Sequence, residues 1–189
     1  MRVIAGAAHG RRIAAPRGLA TRPATARVRA SIFSRLAARF DLTGARVLDL
    51  FAGSGSLGLE ALSRGAKSAV FVDSARAAAI VIRRNLGAIG FTDRAGVIVL
   101  EVQRALERLA AARALFDLVF IDAPYVRDTS AGVIAALVNL QLVADCGWVV
   151  VRQDSRAPAL APARLELVNQ ATVGDHRIAL YRRPIAPPN

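Results

Sequence analysis

Residues 47–58, Val-Leu-Asp-Leu-Phe-Ala-Gly-Ser-Gly-Ser-Leu-Gly, carry a short apolar run straight into a glycine loop. Few folds are open to a chain that does this. The run is short and almost wholly apolar, which suits a strand buried on both faces. Gly53, Gly55 and Gly58 then let the backbone turn tightly and enter a helix. The same rhythm of strand, loop and helix recurs as far as residue 151. It predicts strands at residues 46–50, 69–72, 97–100, 118–121 and 148–151, and helices at 56–64, 75–89, 103–112 and 130–140. Such alternation builds an open, mostly parallel sheet with helices on both faces. The tail breaks the rhythm. Residues 165–172 and 177–181 read as two strands joined through Val173-Gly174-Asp175-His176, so an antiparallel strand is expected at one edge.

The first forty residues hold nine arginines and no acid, and the whole chain of 189 residues carries a formal net charge of +12. This asymmetry favours a polyanionic partner such as nucleic acid. Arg2-Val3-Ile4-Ala5-Gly6 and Arg11-Arg12-Ile13-Ala14-Ala15 flank a plausible hairpin turn, Ala7-Ala8-His9-Gly10. From Thr25, a candidate cap, Val28, Ile32, Phe33, Leu36 and Phe40 have helical spacing, with Arg27, Arg29, Arg35 and Arg39 expected mainly off that apolar face. Three segments follow: a basic, nucleic-acid-binding extension at residues 1–24, a catalytic α/β domain at 25–183, and a tail at 184–189. A single cysteine, Cys146, excludes an internal disulfide and a Cys-based zinc site; it is expected in the core, and no metal is expected. No apolar run approaches membrane-spanning length and the start lacks a signal-peptide core, so the cytoplasm is the expected compartment. Nothing points beyond a monomer.

The loop Gly53-Ser54-Gly55-Ser56-Leu57-Gly58 fits G-x-G-x-x-G, which dinucleotide sites share. Asp73, about twenty residues on, could accept hydrogen bonds from ribose hydroxyls of either cofactor class. Asp49 separates the two. A carboxylate just before the loop would repel a pyrophosphate, whereas it suits the ammonium of S-adenosylmethionine, which has no phosphate and carries a sulfonium. The chain is also short for a dehydrogenase with its own substrate domain. Asp122-Ala123-Pro124-Tyr125 follows the fourth strand, at a carboxyl end of the sheet where open α/β folds bind ligands. An aromatic exocyclic amine is a poor nucleophile, because its lone pair is delocalised into the ring. Two acceptors, the Asp122 carboxylate and the Ala123 carbonyl, would draw on its hydrogens and favour a pyramidal nitrogen. Pro124 restrains Ala123 to an extended conformation, and Tyr125 can stack on a flipped-out base.

With these elements in place, the chain resembles the bacterial 16S rRNA guanine-N2 methyltransferases of the small ribosomal subunit. The likeness runs from Met1 to about Arg183. It rests on Arg2-Val3-Ile4-Ala5-Gly6 with Gly10-Arg11-Arg12, on residues 22–29 (Arg-Pro-Ala-Thr-Ala-Arg-Val-Arg) before Ile32-Phe33, on residues 48–55 with 57–62, and on residues 116–120 leading into Asp122. The resemblance implies a Rossmann-like class I methyltransferase fold of seven strands, S-adenosylmethionine as methyl donor, and guanine N2 in assembled or assembling small subunits as acceptor. By matched position it implies Asp122, Pro124 and Tyr125 as the amine-binding group, joined by Ala123. It likewise implies Asp49, Gly53, Gly55 and Asp73 at the cofactor, within a wider set of Phe51, Ala52, Ser54 and Ser74. Two positions depart from the family pattern. Ala123 stands where a first proline is usual. Gln103-Arg104-Ala105-Leu106 stands where Gly-Asp-Ala-Leu is usual, so adenine contacts are expected from Gln103, Arg104 or backbone. Arg11, Arg12, Arg22, Thr25, Arg27 and Arg29 are the expected RNA-binding residues. Competing readings are a DNA adenine-N6 methyltransferase and a non-catalytic RNA-binding assembly factor, with a dehydrogenase more remote.

Overall fold

The computed structural model describes residues 1–15, 25–123 and 130–185. Its helices are α1 (Ala26–Ala37), α2 (Ser56–Ser63), α3 (Arg76–Ile89), α4 (Val102–Ala111) and α5 (Ser130–Asn139). Its strands are β1 (Arg46–Leu50), β2 (Ser68–Asp73), β3 (Ala95–Val99), β4 (Phe116–Ile121), β5 (Val143–Asp154), β6 (Glu166–Val173) and β7 (His176–Arg182). They form one sheet in the order β3-β2-β1-β4-β5-β7-β6. β1 to β5 pair in parallel, while β7 lies antiparallel between β5 and β6. The seven-stranded α/β architecture expected from the sequence is therefore present, with the C-terminal hairpin at one edge.

The apolar runs explain the two layers. In β1, Val47, Leu48 and Leu50 are fully buried, because the strand has neighbours on both edges and helices on both faces. One face packs Phe71 and Phe120 against Phe33, Leu59 and Ile82 from α1, α2 and α3. The other packs Val119 and Val149 against Leu106 and Leu137 from α4 and α5. Strand order turns outward in opposite directions from β1 and β4, so the crevice for a ligand lies at their carboxyl ends.

β5 is far longer than the stretch 148–151. It begins at Val143 and passes a bulge, where its register with β4 shifts between Phe116 and Leu118. Cys146 sits there at φ 59° and is only partly buried, which corrects its expected place in the core. The irregular backbone breaks the alternation that would otherwise mark a strand.

The basic N-terminal segment forms its hairpin: Arg2 and Arg12 make an antiparallel bridge, and Val3 N–H donates to the Arg11 carbonyl at 3.0 Å. It does not stand apart from the rest. Val3, Ala8 and Ile13 are buried in the core with α1, α2 and α3. Glu60, fully buried on α2, accepts from the Ile4 and Ala5 amides at 2.7 and 3.0 Å and from Arg64 Nε at 2.8 Å. Ser63 Oγ accepts from the Ala8 amide at 2.9 Å. Asn85 of α3 accepts from the Ala14 amide at 2.8 Å and donates at 3.0 Å to the carbonyls of Ala14 and Ser54. Gly6 has φ +82°, and a Cβ there would lie 1.9 Å from the Ser63 carbonyl oxygen, so the hairpin can approach α2 only through a glycine.

Arg29 lies on the buried side of α1, not off it. It is 1% exposed, and Nη2 donates to the Arg2 carbonyl at 2.8 Å. Burial lowers its pKa while Glu60 pulls the other way. Arg29 therefore braces the hairpin, and its expected role as a surface phosphate contact does not fit its position.

Gly58 explains the third glycine of the loop. A Cβ there would meet Phe71 Cε1 at 2.4 Å and Asp49 Oδ2 at 3.2 Å. Gly58→Ala should cost about 1–3 kcal/mol through overpacking. Adding Phe71→Leu should restore part of the loss. Paired thermal melts check this, and a double variant no more stable than the single one would refute the packing account.

Candidate active site

Three backbone reversals shape the glycine loop: Phe51, Gly53 and Gly55 have φ of 57°, 54° and 76°. The Ala52 amide donates to the Val72 carbonyl at 3.0 Å, and the Gly55 amide to the Ala52 carbonyl at 2.7 Å. Asp73 clamps the loop to the turn after β2. Its Oδ2 accepts from the Gly53 amide at 2.8 Å and its Oδ1 from the Ala75 amide at 2.9 Å. Each carboxylate oxygen has two lone pairs, so these bonds leave acceptor capacity for a hydroxyl. Ala52, Ser54 and Gly55 are buried within the loop, Phe51 and Gly53 are half-buried, and Ser74 is exposed beside Asp73. Gln103 and Arg104 are exposed on the first turn of α4, after β3.

Asp49 is 1% exposed beneath the loop and accepts from the Gly58 amide at 2.9 Å. Burial pushes its carboxyl well above the usual carboxylate range; the Gly58 amide opposes this, and the charges of Asp122 and Asp73 add to it. Three acids thus gather at the carboxyl ends of β1, β2 and β4. A cation entering among them would relieve their mutual repulsion, whereas a pyrophosphate would add to it. The donor set fits a sulfonium and an ammonium.

Asp122 and Ala123 leave β4 at this crevice, and the Asp122 amide donates to the Leu50 carbonyl at 3.4 Å. Pro124 and Tyr125 lie outside the described residues. The Asp122 carboxylate is ion-paired with Arg152 Nε of β5, whose side chain is 5% exposed. Arg152 Nη1 lies 3.5 Å from His176 Nδ1 of β7. Burial pushes the Asp122 carboxyl up, and Arg152 and His176 pull it back. Burial, followed by the Arg152 charge, lowers the pKa of His176. Neither Arg152 nor His176 was expected at the site. A strand expected to stop at residue 151 leaves Arg152 in a loop; one more residue of β5 sets it beside Asp122.

On the basic side, Arg11, Arg12, Thr25 and Arg27 are exposed, and Thr25 also caps α1 by accepting from the Val28 amide at 3.3 Å. Arg22 lies outside the described residues. A groove of about 590 Å³ between the hairpin and α3 brings Arg84 to Arg2 and Arg12, with Asn85 in its wall. Arg84 was not among the expected RNA contacts, because nothing in its sequence neighbourhood links α3 to the hairpin. Among the described residues, no helix is long and apolar enough to cross a membrane.

The chain matches the family described as Conserved hypothetical protein 95 over residues 1–182. It is 35% identical to YlbH of Bacillus subtilis (strain 168), provisionally named an rRNA methyltransferase, over 97% of this chain and 99% of that protein. It is 32% identical to Ribosomal RNA small subunit methyltransferase D of Escherichia coli (strain K12), over 97% of this chain and 90% of that protein. Among solved structures, yhhF from Escherichia coli, provisionally named a methyltransferase, superposes with a TM-score of 0.85 at 32% identity, covering 98% of this chain and 99% of that one.

Proposed function

The chain belongs to the family described as Conserved hypothetical protein 95, and from that premise we propose that it methylates the exocyclic N2 amine of a guanine in the 16S rRNA of the small ribosomal subunit, with S-adenosylmethionine as donor. S-adenosylmethionine-dependent rRNA methylation follows from the named relatives. The choice of guanine N2 rests on the resemblance set out above. One observation carries the reading: the Asp122-Ala123 acceptor pair leaves β4 directly beside the acid-lined glycine loop after β1.

The bound donor supplies an electrophilic methyl group, and the C–S electron pair returns to sulfur as that methyl leaves. The protein's part is positioning. Asp49 and Asp73 hold the loop and its charge, and Asp122 with the Ala123 carbonyl accepts the two amine hydrogens. The nitrogen lone pair then forms the new N–C bond, and the cationic nitrogen sheds one proton through Asp122 to water. Arg11, Arg12 and Arg27, with Arg2 and Arg84 in the groove, contact phosphates on the approaching strand. The setting is the cytoplasm and the working unit a monomer.

The test is incubation of the protein and labelled S-adenosylmethionine with small subunits from a strain lacking the gene, followed by nucleoside analysis. Labelled N2-methylguanosine is expected. Label in methyladenosine would overturn the base, and tight subunit binding without label would leave an assembly factor.

A further inference from the structure

We propose that Arg152 is a positioning residue for methyl transfer, holding the Asp122 carboxylate ionised and oriented toward the target amine from behind. This rests on the reading of Asp122 as amine acceptor. The register of the sheet makes the arrangement. Ile121 pairs with Val151 across two parallel strands, so Asp122 and Arg152 emerge together, one residue further on. Arg152 pairs in turn with Ile178, and Asp154 with His176, so His176 lies two residues along β7 on the same face as Ile178. The result is a row, Asp122–Arg152–His176, running across the sheet from the crevice, with Arg152 buried and its two neighbours half-buried.

The row answers a problem of the site. Asp122 must accept hydrogens from an amine, so it must be ionised. Among the described residues, the charged and titratable groups that act on it are Asp49 from β1, Arg152 from β5 and His176 from β7. Asp73 adds its charge through Asp49, while Asp154 and Asp175 stand near His176. Burial favours a neutral Asp122. Arg152 is the group in direct contact that opposes this, with its Nε on Asp122 Oδ1 and its Nη1 turned towards His176. His176 lies on the far side of the guanidinium, where burial and the Arg152 charge lower its pKa.

The sign follows. Activity should fall as pH drops through the Asp122 pKa, which already lies above the usual carboxylate range. Without Arg152 that pKa rises further, so the acid limb moves to higher pH. The experiment measures kcat/KM against pH, with small subunits and labelled donor, for wild type, Arg152→Gln, Arg152→Lys, Asp122→Asn and Asp122→Asn with Arg152→Gln. Arg152→Gln is expected to shift the acid limb up by about 1–3 pH units. Arg152→Lys should keep the limb in place but lower kcat, because a point charge replaces the fork. In the Asp122→Asn background, Arg152→Gln should cost nothing further. An unmoved limb in Arg152→Gln, or additive losses in the double variant, would overturn the proposal. If Arg152→Gln does not fold, Arg152→Lys decides, since a wild-type kcat there also overturns it. The wild-type product identifies the base independently. A product other than N2-methylguanosine would overturn the base assignment, and the pH comparison would still decide Arg152.

Discussion

Asp122→Ala is expected to slow methyl transfer about 10²–10³-fold, the scale on which loss of one pre-aimed hydrogen-bonding group slows an acyl-transfer enzyme. Cofactor affinity should change little, because the glycine loop is held by Asp73 and Asp49 and not by Asp122. The alanine variant has a second effect that must be separated from the first. It removes the carboxylate that ion-pairs with Arg152, whose side chain is 5% exposed, and truncating one partner of a buried pair costs up to about 3–5 kcal/mol of stability. Asp122→Asn avoids most of this. It keeps one acceptor oxygen near the guanidinium, so it should melt closer to wild type and retain more activity than alanine. Single-turnover rates at saturating donor, measured beside thermal melts, resolve the two effects. Wild-type turnover in a folded Asp122→Ala protein would remove Asp122 from the chemistry.

Glu60→Ala is expected to destabilise the fold strongly. Glu60 is fully buried, takes two backbone amides of the hairpin and Arg64 Nε, and sits close to the buried Arg29. Its loss leaves two amides and a guanidinium without their acceptor, at a cost of about 3–5 kcal/mol. In a chain of this size that is roughly 6–20 °C in Tm. Glu60→Gln should not rescue it, because the amide group brings a donor to face donors. Calorimetry gives the Tm, and hydrogen exchange at Ile4 and Ala5 gives the local effect. Protected amides at both positions in Glu60→Ala would show that the hairpin is held without Glu60, by its apolar contacts and by Ser63 and Asn85.

These two residues mark where sequence reading succeeds and where it stops. Asp122 was legible because it ends a buried apolar strand and is followed by residues whose chemistry suits an amine. The glycine loop was legible for the same reason, since strand and turn are neighbours in sequence. Glu60 was not. On an eight-residue helix it reads as the solvated position of an amphipathic pattern, and only the hairpin laid over it makes it internal. Asn85 was missed in the same way, and so was Arg29, whose place one residue after Val28 puts it at the border of the apolar stripe of α1. Arg152 was hidden because the apolar run ends at Val151, while β5 continues through the polar residues Arg152, Gln153 and Asp154. In each case the determining contact joins elements that lie far apart in sequence, and local periodicity carries no trace of it.

The hairpin's anchors lie 55 to 71 residues downstream of the amides they receive. During synthesis the arginine-rich opening therefore cannot complete its docking until Asn85 has been made, roughly 4–14 s later at ordinary elongation rates. For that interval Val3, Ala8 and Ile13 lack the α2 and α3 surface that buries them. Docking of the opening also has to close a loop of more than fifty residues, which adds an entropic cost. A nascent chain is thus left with a cationic arm exposed beside the RNA of the ribosome that is making it.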